Sequence, residues 1–138
     1  MKSKIVENIL KVVLSLILIM PILGTLGFLG EPTRDLYNTD AAYAFIQTLM
    51  SSMYINYMMS VVHIVALWAL WTRREALAAL LILPITLNVV GFHAVLDGGL
   101  FTGGAFLGNI MLLINLYFVW KYKEAYRVLF ARRPEPAQ

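Results

Sequence analysis

Two histidines, His63 and His93, lie inside long apolar stretches, each with polar company at helical spacing. His93 stands in ALAALLILPITLNVVGFHAVLD with Pro84, Asn88 and Asp97. His63 follows Thr48, Ser52, Asn56 and Ser60 at steps of four, then three, which keeps all five on one slowly drifting helix face. Imidazole exchanges a proton near neutral pH and is a common metal ligand. The pair therefore invites four chemistries: haem ligation, metal binding, acid–base catalysis, or a hydrogen bond to a polar headgroup.

Depth argues against a bis-histidine haem within one chain. His63 lies eight residues from Trp71, about 12 Å along a helix, whereas His93 lies about 25 Å from Ala76. The mismatch of about 13 Å would need a shifted or strongly tilted helix. A metal site lacks ligands: His93 and Asp97 are four residues apart and can pair, but no third His, Cys or carboxylate falls nearby on that helix. Ser51, Ser52 and Ser60 share a helix with His63, but no triad context or oxyanion loop accompanies them. Tyr54, Asn56 and Tyr57 fall at the depth of His93. Aromatics, an amide and one titratable imidazole in apolar surroundings suit a quinone-like or lipid headgroup. The candidate ligand residues are thus His93, Asn88, Tyr54, Asn56, Tyr57 and Asp97. The plainer alternative is a structural histidine bonded to a neighbour.

The elements that must hold these residues are membrane helices. Of the 138 residues, 60% are hydrophobic and 14% charged, against roughly 25% charged in an average soluble domain. The absence of cysteine rules out disulfides and thiolate-ligated metal centres within the chain. Four apolar segments are expected as spans, at about residues 5–29, 43–71, 76–96 and 105–121. Lys2 and Lys4 precede the first, Arg73 and Arg74 join the second to the third, and Lys121, Lys123, Arg127, Arg132 and Arg133 follow the fourth. Glu31, Asp35, Asp40 and Asp97 mark the other side. The positive-inside rule then makes both termini cytoplasmic, and this patterning favours membrane orientation over nucleic-acid binding. The first segment is too long for a signal-peptide core and has no A-x-A-like site after it. The expected fold is an all-α, multi-pass four-helix bundle of the cell membrane over residues 1–130, with a disordered polar tail at 131–138.

Further polar residues point inward. Glu7 and Lys11 are ordered for an ion pair, and with His63 and Asn115 they outline a polar seam. Gly104 and Gly108 permit close helix approach. Pro84 removes a donor and predicts a kink, with Asn88 one turn on to satisfy the loosened backbone.

The P-x-x-x-N-x-x-x-F-H run of Pro84, Asn88, Phe92 and His93 resembles the DoxX/DoxX-like family of small four-helix membrane proteins. So does the closing segment with Trp120, Tyr122, Lys123, Tyr126 and Arg127. The resemblance implies a membrane component of quinone-linked redox assemblies. One departure concerns the second helix, where related sequences often carry an acidic residue in a K-x-x-E-V-like segment. Here the stretch reads SVVHIV, and His63 keeps proton exchange without the negative charge. The leading expectation is an accessory subunit without catalytic activity of its own, contacting quinone or lipid near His93 and other redox subunits or further copies of itself. The alternative is a ligand-free scaffold or assembly protein. A third reading, a small transporter, would use Glu7, Lys11, His63 and Asn115 as a polar path.

Overall fold

A computed structural model describes residues 2–131. Every element among them is helical: α1 (Lys2–Thr25), α2 (Asp40–Ser52), α3 (Tyr54–Trp71), α4 (Glu75–Val95), α5 (Ala105–Lys121) and the short α6 (Arg127–Phe130), with single 3-10 turns at Arg34–Leu36 and Lys123–Tyr126. The expected tail lies outside the described residues except Ala131. Three helical stretches are long and apolar enough to cross a membrane: Lys4–Thr25, Tyr54–Trp71 and Glu75–Val95. Residues 105–121 with 123–130 add a fourth if that pair, bent by 72°, counts as one span.

The long helices form a ring in which α1 packs on α3, α3 on α4, α4 on α5, and α5 returns to α1. Residues in the left-handed conformation close the ends of α1 and α3. At the end of α1, Gly27 takes φ +81° while Phe28 N–H bonds the Leu23 carbonyl and Gly27 N–H that of Gly24. This Schellman arrangement needs the left-handed conformation that glycine adopts without strain. The α3–α4 turn closes the same way, with Arg74 N–H on the Ala69 carbonyl and Arg73 at φ 61°. Leu14, Leu18, Ala66, Ala69, Leu70, Ala78, Ala79, Ile82, Met111, Ile114 and Phe118 form the core. Four of these are alanines on the facing α3 and α4, and small side chains let membrane helices approach closely. Leu16, Met58, Val61 and Leu113 are largely exposed outside, the inversion a lipid-facing surface requires.

The expected second span, residues 43–71, is two helices. Met53 adopts φ 51° and ψ −42°, which breaks the ladder between α2 and α3. The first also stops at Thr25, short of residue 29. The third and fourth match to within one residue. Pro84 sits on the outer face of an unbroken α4. The Asn88 side chain donates to the carbonyl of Pro84 itself, 2.9 Å away. The carbonyl that proline leaves without its helical donor is that of Leu80, so Asn88 is not the expected repair.

Candidate functional site

The polar residues gather in two clusters, one at each end of the bundle. The first is built where α4 ends. His93 Nδ1 lies 2.9 Å from Asp97 Oδ2, the i, i+4 pair expected from the sequence. Asp97 is fully buried, and its other oxygen accepts the Asn38 N–H at 2.8 Å. The Asn38 amide returns a bond to the Asp97 carbonyl at 3.1 Å. Thr39 donates to the Leu96 carbonyl and accepts the Ala42 N–H, which makes it the N-cap of α2. The long α1–α2 loop is thereby clipped to the end of α4. Burial pushes the Asp97 carboxyl upward, but the Asn38 N–H, the His93 ring and the Asn38 amide outweigh it and hold it below its usual range. Burial, then the nearby Asp97 charge, raises the Tyr37 phenol. Beside the clip, Phe92 meets His93 and Tyr37 edge to face and Phe45 at a tilt, with ring centroids 5.0, 6.3 and 5.7 Å away.

The glycines of α5 make room for the imidazole. A Cβ on Gly104 would lie 3.2 Å from His93 Cε1 and 3.3 Å from Asp97 Oδ2. One on Gly108 would lie 3.0 Å from Val89 Cγ1 and 3.7 Å from His93 Cδ2. The ring thus lies against α5 at both glycines. Because Asp97 is a carboxylate, Nδ1 carries the proton of the neutral ring. Nε2 then holds a lone pair and makes no hydrogen bond to the described residues.

The second cluster joins the opposite helix ends. Lys11 pairs closely with Glu75 and lies 3.8 Å from Glu7. Glu7 in turn takes Lys121 and the Tyr122 hydroxyl, the latter at 2.7 Å. Ser15 donates to the Lys11 carbonyl and accepts Trp71 Nε1 at 3.0 Å, and Tyr126 reaches the Ala76 carbonyl. Two carboxylates and two ammonium groups balance. Lys11 is buried against Glu75 at the start of α4. Glu75 escaped the sequence reading, and Lys121 and Tyr122 entered it only through orientation and family resemblance, although each sits at the charged end of an expected span, where helix ends must meet.

The remaining candidates stay apart. Tyr54 and Tyr57 are more than half exposed on α3, and Asn56 offers its backbone carbonyl to Thr25 at 3.4 Å. None of the three hydrogen-bonds to His93. Asn88 is exposed. The break at Met53 divides the expected polar stripe: Thr48 and Ser52 bond carbonyls of their own α2, while Ser60 donates to Thr25 across to α1. His63 is buried with both ring nitrogens unpartnered among the described residues. Asn115 donates to the Ala79 carbonyl at 2.9 Å and leaves its Oδ1 unpartnered. Glu7, Lys11, His63 and Asn115 therefore form no hydrogen-bonded chain. Two open surface grooves, of about 460 and 340 Å³, are lined by Arg127, Val128, Phe130 and Ala131 and by α1 residues from Ile5 to Val13. Neither touches His93. Among the described residues no three His, Asp or Glu side chains converge as metal ligands.

No protein-family model, curated protein or solved structure matches this chain. Within its geometry, His93 is the imidazole held in one orientation by a buried carboxylate.

Proposed function

We propose that the chain is a multi-pass membrane protein in which α1, α3, α4 and α5 span the cell membrane with both termini cytoplasmic. We further propose that it serves as an accessory, non-catalytic subunit of a quinone-linked assembly, as its DoxX-like residues suggest. Lys4, Arg73, Arg74, Lys121, Lys123 and Arg127 belong to the end held by the Glu7–Lys11–Glu75–Lys121 cluster, which supports the orientation. The acidic loops belong to the end of the Asp97 clip.

The observation that carries the ligand reading is the His93 ring, fixed at Nδ1 by Asp97 and unpartnered at Nε2. Neutral Nε2 accepts from a quinol or lipid hydroxyl; protonated, it donates to a quinone carbonyl. Protein reconstituted in native lipid should yield quinone in stoichiometric amount, and His93→Gln should lose it without loss of helicity. Persistent absence of quinone and of any co-purifying redox protein would sink this reading. A scaffold without ligand is the second reading. It is favoured by Asp97, Asn38 and Thr39, whose hydrogen bonds join the loop to α4. It predicts that His93→Gln leaves the assembly intact and Gly108→Leu disrupts it.

A further inference from the structure

The outward face of α4 holds a polar group with unused bonding capacity. Asn88 is exposed, and its Nδ2 bonds only the Pro84 carbonyl of its own helix. Its Oδ1 accepts no hydrogen bond from the described residues. Asn115, by contrast, is buried and reaches across to Ala79 on a neighbouring helix. Asn88 lies 13 residues from Glu75, about 20 Å along a helix that extends about 10 Å further to Val95. That is inside the hydrocarbon, where an unsatisfied amide oxygen is costly and asparagine is a known driver of helix association.

The residues around it are spaced for a helix partner. Leu77, Leu81, Pro84, Asn88, Gly91 and Val95 follow one another at steps of four, three, four, three and four, the a/d repeat of a coiled-coil seam. Leu77, Pro84, Asn88 and Val95 are exposed, and Leu81 and Gly91 partly so. A Cβ on Gly91 would meet nothing within 4 Å, so the face is open there.

We propose that this seam is a homodimer contact, in which α4 packs in parallel against α4 of a second copy with the two Asn88 side chains hydrogen-bonded to each other. Depth selects the second copy as occupant. Copies inserted with the same orientation are related by a two-fold axis along the membrane normal, which puts every α4 residue opposite its own counterpart. A carboxamide carries both donor and acceptor, so it is self-complementary in that position. A single Asn within an apolar a/d seam also fixes register and oligomeric state. The inference rests on α4 spanning the membrane, as proposed above.

The chain lacks cysteine, so single cysteines report directly on proximity. In native membranes, Pro84→Cys and Gly91→Cys should form oxidative cross-linked dimers. Leu113→Cys on α5 and Val61→Cys on α3, both exposed, should not. Without oxidant, fluorescence energy transfer between labelled copies in diluted liposomes should show Asn88→Leu weakening dimerisation about three- to thirtyfold. Asn88→Gln should retain more affinity than Asn88→Leu. Undiminished dimerisation of Asn88→Leu, equal cross-linking at Leu113→Cys, or cross-linking only to a different protein would overturn the pairing. Ready labelling of Gly91→Cys by a membrane-impermeant maleimide would overturn the membrane placement of α4 and the pairing with it. Protected cysteines without cross-links would overturn the pairing alone.

Discussion

Replacing Asp97 with alanine tests the clip that orients His93. The carboxylate accepts two charge-assisted hydrogen bonds, from Asn38 N–H at 2.8 Å and His93 Nδ1 at 2.9 Å. Each such bond is worth about 1.5–3 kcal/mol net, so about 3–6 kcal/mol is at stake. The loop can swing into water once released, which re-solvates the Asn38 N–H and caps the cost near the lower figure. About 3 kcal/mol corresponds to a roughly 150-fold larger open population of the loop. Hydrogen exchange across residues 31–42 in nanodiscs reads this directly. Asp97→Ala should collapse the protection of Asn38 and Ala42 by about two orders of magnitude and leave the cores of α1 and α3 unchanged. Equal protection in variant and parent would refute the reasoning.

The pH dependence carries the same information. The folded carboxyl of Asp97 is held below its usual value of 3.8. A depressed folded pKa stabilises fully above the unfolded pKa and is lost as pH falls through the folded one. The loop should therefore remain protected at pH 5 and open only below about pH 3.8, in the parent but not in Asp97→Asn, whose protection factors should be flat across that range once intrinsic exchange is divided out.

Three other substitutions probe the bundle. Lys11→Met leaves Glu75 buried without its partner and should cost about 3–5 kcal/mol, whereas Lys11→Met with Glu75→Met should recover most of that loss in unfolding titrations. Gly108→Ala places a Cβ 3.0 Å from Val89 Cγ1; the overpacking, about 1–3 kcal/mol, should exceed the gain in helix propensity of about 1 kcal/mol, and Val89→Ala in the same chain should reverse the sign. Arg73→Gly relieves a left-handed residue at φ 61° and should stabilise by up to about 1 kcal/mol, provided that topology, checked by cysteine accessibility, is unchanged.

The long elements were legible because lipid imposes a strong compositional signal, and α1, α4 and α5 follow it within a few residues. The His93–Asp97 pair and the close approach at Gly104 and Gly108 were legible because helix spacing alone places them. The break at Met53 was not. YAFIQTLMSSMYINYMMS contains no proline or glycine, so nothing local marks the end of α2, and the contacts that accompany the break, such as Thr25 with Ser60, are tertiary. That break removed Thr48 and Ser52 from the expected stripe. The cluster of Glu7, Lys11, Glu75, Lys121 and Tyr122 was also hidden, because it joins residues up to 115 positions apart and only the ring order of helices brings them together.

The distribution of satisfied and unsatisfied polar groups separates architecture from function. At both ends, side chains meet in pairs that join one helix or loop to another: Asn38 with Asp97, Lys11 with Glu75, Tyr122 with Glu7. These geometries explain how short apolar helices stay in register. Unused capacity among the described residues includes His93 Nε2, the Asn88 carboxamide, Asn115 Oδ1 and the buried His63 ring. Of these, His63 is enclosed on all sides, and a buried imidazole with neither nitrogen bonded destabilises the fold. Substitution by leucine should therefore stabilise the bundle if His63 serves packing alone. Asn88 is exposed on the face of α4, whereas the His93 side chain is 13% exposed and its ring lies against Gly104 and Gly108 of α5. The proposed ligand contact and the proposed dimer contact thus fall on a single helix five residues apart, one against the glycines of α5 and the other on the exposed face of α4.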